Sequence, residues 1–203
     1  GEVDLLSDMG FLGPDVLAAH CTQLSQEDIE LLAESNVKVA YCPVANMKLA
    51  SGICRAKELL DAGMTVGLGT DGPASNNTLD MFETMKFATL LQKTLYMDPR
   101  VLPAKRVLEM ATMDGARALG IDEAAGSLEI GKKADLILID VDKPHLTPMH
   151  DPYASLVYAA RGSDVDTTIV DGRILMENRK VKTLDEDEVI EKGRETALDL
   201  VSR

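Results

Sequence analysis

The stretch Met64–Asn77, MTVGLGTDGPASNN, decides how this chain is read. Apolar Val66 and Leu68 run into the polar stop Thr70-Asp71-Gly72. That pattern predicts a buried strand over Thr65–Asp71 and a polar turn over Pro73–Asn77. Asp71 then ends a strand. A carboxylate there can act as a ligand or proton carrier, or can simply cap and shape the turn. From the residues alone both readings stand.

The same rhythm occurs twice upstream. Val16–Cys21, VLAAHC, reads as a short buried strand ending in His20. By spacing, His20 is either a hydrogen-bonded core histidine or a site residue. Ser25 suits an N-cap, with Asp28 three residues on as a weak capping box and Leu24 and Ile29 at the staple positions. Ile29, Leu32 and Ala33 then mark the inward face of a helix ending near Ser35. Val37–Pro43 is a second strand, stopped by Pro43. A loop through Asn46, Lys48 and Gly52 is expected next. A helix over Cys54–Ala62 follows, with Gly63 as its left-handed cap.

Downstream of the opening stretch, a long helix is expected over Thr78–Met97, ended by Asp98-Pro99. Pro103 suits the first turn of another helix that closes near Gly120. Three strand–helix units with short connections predict a parallel sheet with crossover helices, either a barrel or a doubly wound sheet. The character changes at Gly126. A strand is expected over Ala134–Asp142, then a Pro-rich segment and a short helix over Tyr153–Ala160. Val165–Val170 and Arg173–Met176 flank Asp171-Gly172, a two-residue hairpin signal. Glu186–Ser202 reads as a charged terminal helix. The expected organisation is 1–122 as the strand–helix part, 123–183 as a β segment with its connecting loop, and 184–203 as the helix.

Composition narrows the function classes. At 203 residues the chain can bury a real core. Only 3% of residues are aromatic, so Leu, Ile, Val, Met and Ala must fill that core. The formal net charge of -13 argues against nucleic acid, since phosphate binding needs clustered Lys and Arg. No apolar run reaches the roughly 18–20 residues that span a bilayer, and no signal peptide is read at the start. Cys21, Cys42 and Cys54 form no CxxC pair and fit free thiols in a reducing, cytoplasmic compartment. Their expected role is as small buried hydrophobes, with Cys21 facing away from the site by strand alternation. A first residue other than Met hints at a cut or engineered boundary.

Four ordered stretches, Val16–Cys21, Tyr41–Gly52, Thr65–Asn77 and Gly126–Asp142, together resemble the C-terminal half of the metal-dependent amidohydrolase superfamily. CPVANMKLASGI and VGLGTDGPASNN are most similar to the methylthioadenosine/S-adenosylhomocysteine deaminase branch. The resemblance implies an α/β fold: the last three strands and helices of a (β/α)8 barrel, plus part of a small β-sandwich. It implies hydrolytic deamination of an adenosine-type nucleoside by a hydroxide bound to Zn2+ or Fe2+. Asp71 is then a metal ligand and catalytic proton carrier, and His20 a catalytic residue beside it. Asn46, Lys48, Ser75 and Asn76 lie in the loops that border the substrate.

The departures are as informative. The family's H-x-H pair, a third His ligand and the Glu three residues beyond it are absent. His145 and His150 are expected to be surface or packing residues. One Asp and one His cannot hold a tight metal. This chain is therefore expected to be a half that is inactive alone, whose open sheet edge invites self-association or a partner fragment. A cyclic-amide or chlorotriazine hydrolase, and a non-catalytic structural fragment, are the alternatives.

Overall fold

The computed structural model describes residues 1–202. Among them, three parallel strands and four antiparallel strands form two separate sheets. Helix α1 (Glu2–Asp8) comes first, then strand β1 (Leu17–Ala19) and helix α2 (Gln26–Glu34). Strand β2 (Lys38–Tyr41), helices α3 (Pro43–Lys48) and α4 (Ala56–Asp61), strand β3 (Val66–Leu68) and helix α5 (Pro73–Asn76) follow. Next come α6 (Met81–Tyr96), α7 (Ala104–Ala111), α8 (Met113–Leu119), strand β4 (Leu136–Ile139) and α9 (Pro152–Ala154). A π turn (Ser155–Ala159) and a 3-10 turn (Gly162–Asp164) lead to β5 (Val165–Val170), β6 (Arg173–Glu177), β7 (Lys180–Val181) and α10 (Glu186–Val201).

The chain divides into two compact units. The first comprises Gly1–Lys132 and Asp142–Gly162. Its sheet has the order β1-β2-β3, all parallel, with Ala18 opposite Val39 and Ala40 opposite Gly67. Parallel neighbours require crossovers, and α2 and α4 supply them. Neither outer edge of this sheet is paired, so it is an open sheet rather than a closed barrel. Ile29, Val39, Leu59, Val66 and Val107 are fully buried around it. Each burial stabilises the fold by about 1.5–3 kcal/mol.

Two local interactions fix the elements near the sheet's C-terminal edge. Helix α2 starts as its sequence predicts: the Ser25 hydroxyl accepts from the Asp28 N–H at 3.1 Å, and the Asp28 carboxylate accepts from the Ser25 N–H at 2.8 Å. Asp80 caps α6 by accepting from the Phe82 N–H at 2.8 Å, and its other oxygen accepts from the Gly162 N–H at 2.9 Å. That second bond ties the end of the 142–162 segment to the helix. At Gly67 in β3 a Cβ would lie 3.0 Å from the Gly115 Cα, so the two glycines let α8 press directly on the strand.

Several sequence expectations need correction. The loop expected through Asn46 and Lys48 is helix α3, and the turn expected over Pro73–Asn77 contains the one-turn helix α5. The cause is the same in both: Pro sits at the first helical position, where its missing N–H costs nothing. The helix expected from Pro103 to Gly120 breaks at Thr112 (φ −124, ψ −91). The Thr112 hydroxyl donates to the Leu108 carbonyl at 2.7 Å, competing with the helix ladder at the break. Asp114, just after the break, is buried and pairs with Arg106 at 2.5 Å and Arg117 at 2.8 Å.

The second unit comprises Lys133–Val141 and the chain from Ser163 onward. It is one antiparallel sheet of order β4-β5-β6-β7 with α10. Asp171 and Gly172 both have positive φ (51 and 73), as a type I′ hairpin turn requires. Among the described residues no helix is long and apolar enough to cross a membrane.

Candidate functional site

In parallel sheets the loops at the C-terminal ends of the strands surround the usual site. His20 lies one residue past β1, Asp71 three past β3, and Asn46 on α3 directly after β2. All three strands therefore contribute at one edge. His20 (φ 69) and Asp71 (φ 61) are both in the left-handed region, uncommon for non-glycine residues and concentrated at functional positions. The ladder still holds His20 in place, because its N–H donates to the Ala40 carbonyl at 3.0 Å.

The three side chains converge. His20 Nδ1 lies 2.8 Å from Asn46 Oδ1, and His20 Nε2 lies 3.9 Å from Asp71 Oδ2. The His20 and Asp71 side chains keep 43% and 30% of their surface exposed, enough to meet a solute. The Gly72 N–H donates to Asp71 Oδ1 at 2.7 Å. That bond, then the nearby Ser75 hydroxyl, holds the Asp71 carboxyl below the usual carboxylate range. Asp71 is therefore a carboxylate, able to accept a proton, at neutral pH.

The remaining expected site residues hold the loops. Lys48 donates to the Ala74 carbonyl at 3.0 Å and to the Asn77 side chain, fastening α3 to the α5 segment. The Ser75 hydroxyl donates to the Gly72 carbonyl at 3.0 Å. Asn76 is buried, and its amide donates to the Thr70 carbonyl at 2.7 Å. These bonds set the path of the chain on both sides of Asp71.

Sequence reading missed Gly72, whose N–H shapes the carboxylate, and Cys42, whose sulfur would lie 3.0 Å from a Cβ at Gly69. Burial, then the Asp71 charge, pushes the Cys42 thiol up to about 11. The alternation argument for Cys21 does not apply, because β1 ends at Ala19 and both His20 and Cys21 have positive φ. Burial pushes the Cys21 thiol up to about 11 as well. All three cysteines are free. His145 and His150 are exposed and lie in the segment after β4.

Asp71 offers one oxygen-donor side chain to a metal ion, with His20 as its imidazole neighbour. Among the described residues no three His, Cys, Asp or Glu side chains come together to hold one. The donor set here therefore does not by itself make a zinc site.

The chain is 55% identical over its whole length to a 5'-deoxyadenosine deaminase of Methanosarcina acetivorans, covering 46% of that protein. It is 56% identical over 92% of its length to a 5-methylthioadenosine/S-adenosylhomocysteine deaminase of Moorella thermoacetica, covering 44% of it. Among solved structures, a zinc-bound adenosine deaminase from Xanthomonas campestris superposes with a TM-score of 0.96 at 36% identity, over 99% of this chain and 46% of that one. A zinc complex of atrazine chlorohydrolase from Arthrobacter aurescens superposes with a TM-score of 0.86 at 28% identity, over 93% of this chain and 42% of that one. The chain spans about half the length of the relatives it matches. The model of the amidohydrolase family matches residues 1–175, and the chain belongs to that family.

Proposed function

We propose that this chain forms one part of the active site of a hydrolytic deaminase acting on an adenosine-type nucleoside, such as 5′-deoxyadenosine or a 5′-thioether analogue. The observation that carries the reading is the convergence of His20, Asn46 and Asp71 at one edge of the parallel sheet. The 55–56% identity to relatives named as such deaminases supports the substrate class.

Asp71 is the proton carrier. As water adds to the amino-bearing ring carbon, the carboxylate takes one of its protons, and the adjacent ring nitrogen takes the electron pair of the broken C=N bond. The carboxylate then delivers its proton to the amino group, which leaves as ammonia. The water's second proton ends on the ring nitrogen as the oxygen becomes a carbonyl. The depressed Asp71 carboxyl is ionised at neutral pH and so is free to accept the proton, while the same depression makes it a weaker base than an ordinary carboxylate. His20, 3.9 Å away, presents Nε2 on the same side and hydrogen-bonds the oxygen that becomes the product carbonyl. Lys48 and Asn76 keep the two loops in register. The relatives crystallised with zinc make a divalent metal the expected cofactor, with Asp71 as its one ligand from this chain. The other ligands, and the strands that cover the open sheet edge, would come from the portion of the relatives' length that these 203 residues do not match.

A dechlorinating or other triazine hydrolase is the second reading, favoured only by the 28% identity to atrazine chlorohydrolase. The test is release of ammonia from the nucleosides and guanine, and of chloride from atrazine, by a protein carrying this chain within the full length of its relatives. 5′-Deoxyadenosine, methylthioadenosine, S-adenosylhomocysteine, adenosine, guanine and atrazine form the panel. The nucleosides with modified 5′ positions are expected to be turned over best. Turnover of atrazine with none of the nucleosides would refute the reading.

A further inference from the structure

Asn46 is 1% exposed, one turn into a helix whose Pro43 start follows β2 directly. Its backbone is fixed at both ends: the Asn46 N–H donates to the Cys42 carbonyl at 3.0 Å, and the Ser51 N–H donates to the Asn46 carbonyl at 3.0 Å. A side chain held this deeply makes a poor direct contact for an arriving solute, but it meets His20 at 2.8 Å. Its Nδ2 group has no hydrogen-bond partner. A stranded buried donor costs about 1–3 kcal/mol, so its persistence calls for a reason. Turning the amide around would satisfy Nδ2 but strand Oδ1 in its place. It would also set a donor against Nδ1, which only a bare Nδ1 tolerates.

We infer that Asn46 is a positioning residue for His20: its Oδ1 accepts a hydrogen bond from Nδ1–H, fixes that tautomer, and leaves Nε2 as the bare, accepting nitrogen facing Asp71. This rests on the proposed function only for its use in catalysis; the tautomer itself is a property of the fold. The Nε2–Asp71 separation of 3.9 Å is too long for a direct hydrogen bond, so the carboxylate does not impose Nε2–H, and the short Nδ1 contact decides. With Nδ1–H committed to Asn46, the bare Nε2 is left to accept a hydrogen bond on the Asp71 side without the ring rotating. With the amide reversed, Nε2 would carry a permanent hydrogen and could only donate.

Only three histidines are present, so long-range proton–nitrogen NMR on the uniformly 15N-labelled full chain can read His20 directly. The spectrum is taken at about pH 9, where an ordinary imidazole is neutral. His20 is expected to show a protonated Nδ1 and a bare Nε2. Asn46→Leu should return it to a mixture with Nε2–H in the majority. Asn46→Asp, which keeps an acceptor oxygen, should retain Nδ1–H. Nε2–H in the unsubstituted chain would overturn the inference, and so would a tautomer unmoved by Asn46→Leu. If Asn46→Leu fails to fold, the unsubstituted chain and Asn46→Asp still decide it. In the longer protein, Asn46→Leu should lower kcat about 10–100-fold with KM little changed. A rise in KM at constant kcat would instead mark Asn46 as a substrate contact and overturn the positioning role. An Nδ1–H tautomer in a protein that releases no ammonia would refute the deaminase reading and leave the tautomer assignment standing.

Discussion

Gln92 offers the sharpest test of how the sheet edge is held. It is fully buried on α6, yet polar. Its Nε2 donates to the Cys54 carbonyl at 2.8 Å and to the Tyr41 hydroxyl at 3.2 Å, and its Oε1 accepts from the Lys57 N–H at 3.4 Å. Tyr41 is the last residue of β2 and immediately precedes the Cys42-Pro43 entry to the helix that carries Asn46. Gln92→Met keeps length and volume but removes all three bonds. The Tyr41 hydroxyl and the Cys54 carbonyl are then left buried without partners. At about 1–3 kcal/mol for each stranded group, with the long Lys57 contact adding little, the loss is about 2–6 kcal/mol. That is a large share of the roughly 5–15 kcal/mol that holds a domain. Urea denaturation of the 203-residue chain followed by circular dichroism measures it. With a slope of about 1–3 kcal/mol per molar, the midpoint should fall by roughly 1–2 M. Tyr41→Phe combined with Gln92→Met should cost less than the sum of the two, because the phenol no longer needs a partner. A midpoint unchanged in Gln92→Met, or strict additivity in the double variant, would refute this reasoning.

Two further outcomes follow from the same geometry. Asp80→Ala removes both the α6 cap and the bond from Gly162, and should cost about 1–2 kcal/mol in the same assay; Asp80→Asn, with a single accepting oxygen, should recover the cap but not the Gly162 bond. The raised thiols of Cys21 and Cys42 should react slowly. At about pH 8 their thiolate fraction is roughly a hundredfold below that of an ordinary cysteine, and alkylation by iodoacetamide should accelerate about tenfold per pH unit until near 11. Rates equal to free cysteine at pH 8 would contradict the burial of both sulfurs.

Much of the architecture was legible because its signals are local. Ser25 and Asp28 lie three residues apart and cap α2 as their spacing implies. Asp171-Gly172 needs only its own dihedral preferences to declare a turn. The parallel sheet followed from apolar runs separated by helix-length segments. What sequence obscured was of two kinds. At Pro43 and Pro73 one residue ends a strand or turn and also begins a helix, and the terminating role hid the initiating one. At β7, two residues are too few to show alternation. Within the site, His20 and Asp71 stood out as strand-end residues, but the His20–Asn46 bond joins positions 26 apart, and no local pattern encodes it. The burial of Asn46 likewise comes from packing between α3, α5 and α6 rather than from its neighbours in sequence.

The proposal to be tested is that Asp71 carries the proton in a deaminase site to which this chain contributes one edge. The most direct measurement is ammonia release from 5′-deoxyadenosine by the full-length protein with and without Asp71→Asn. Asparagine keeps the size and the acceptor for the Gly72 N–H but cannot carry the proton. The account predicts a fall in kcat of about 10²–10⁴-fold or more, with the fold intact by circular dichroism. An Asp71→Asn protein that releases ammonia at the unsubstituted rate would contradict it.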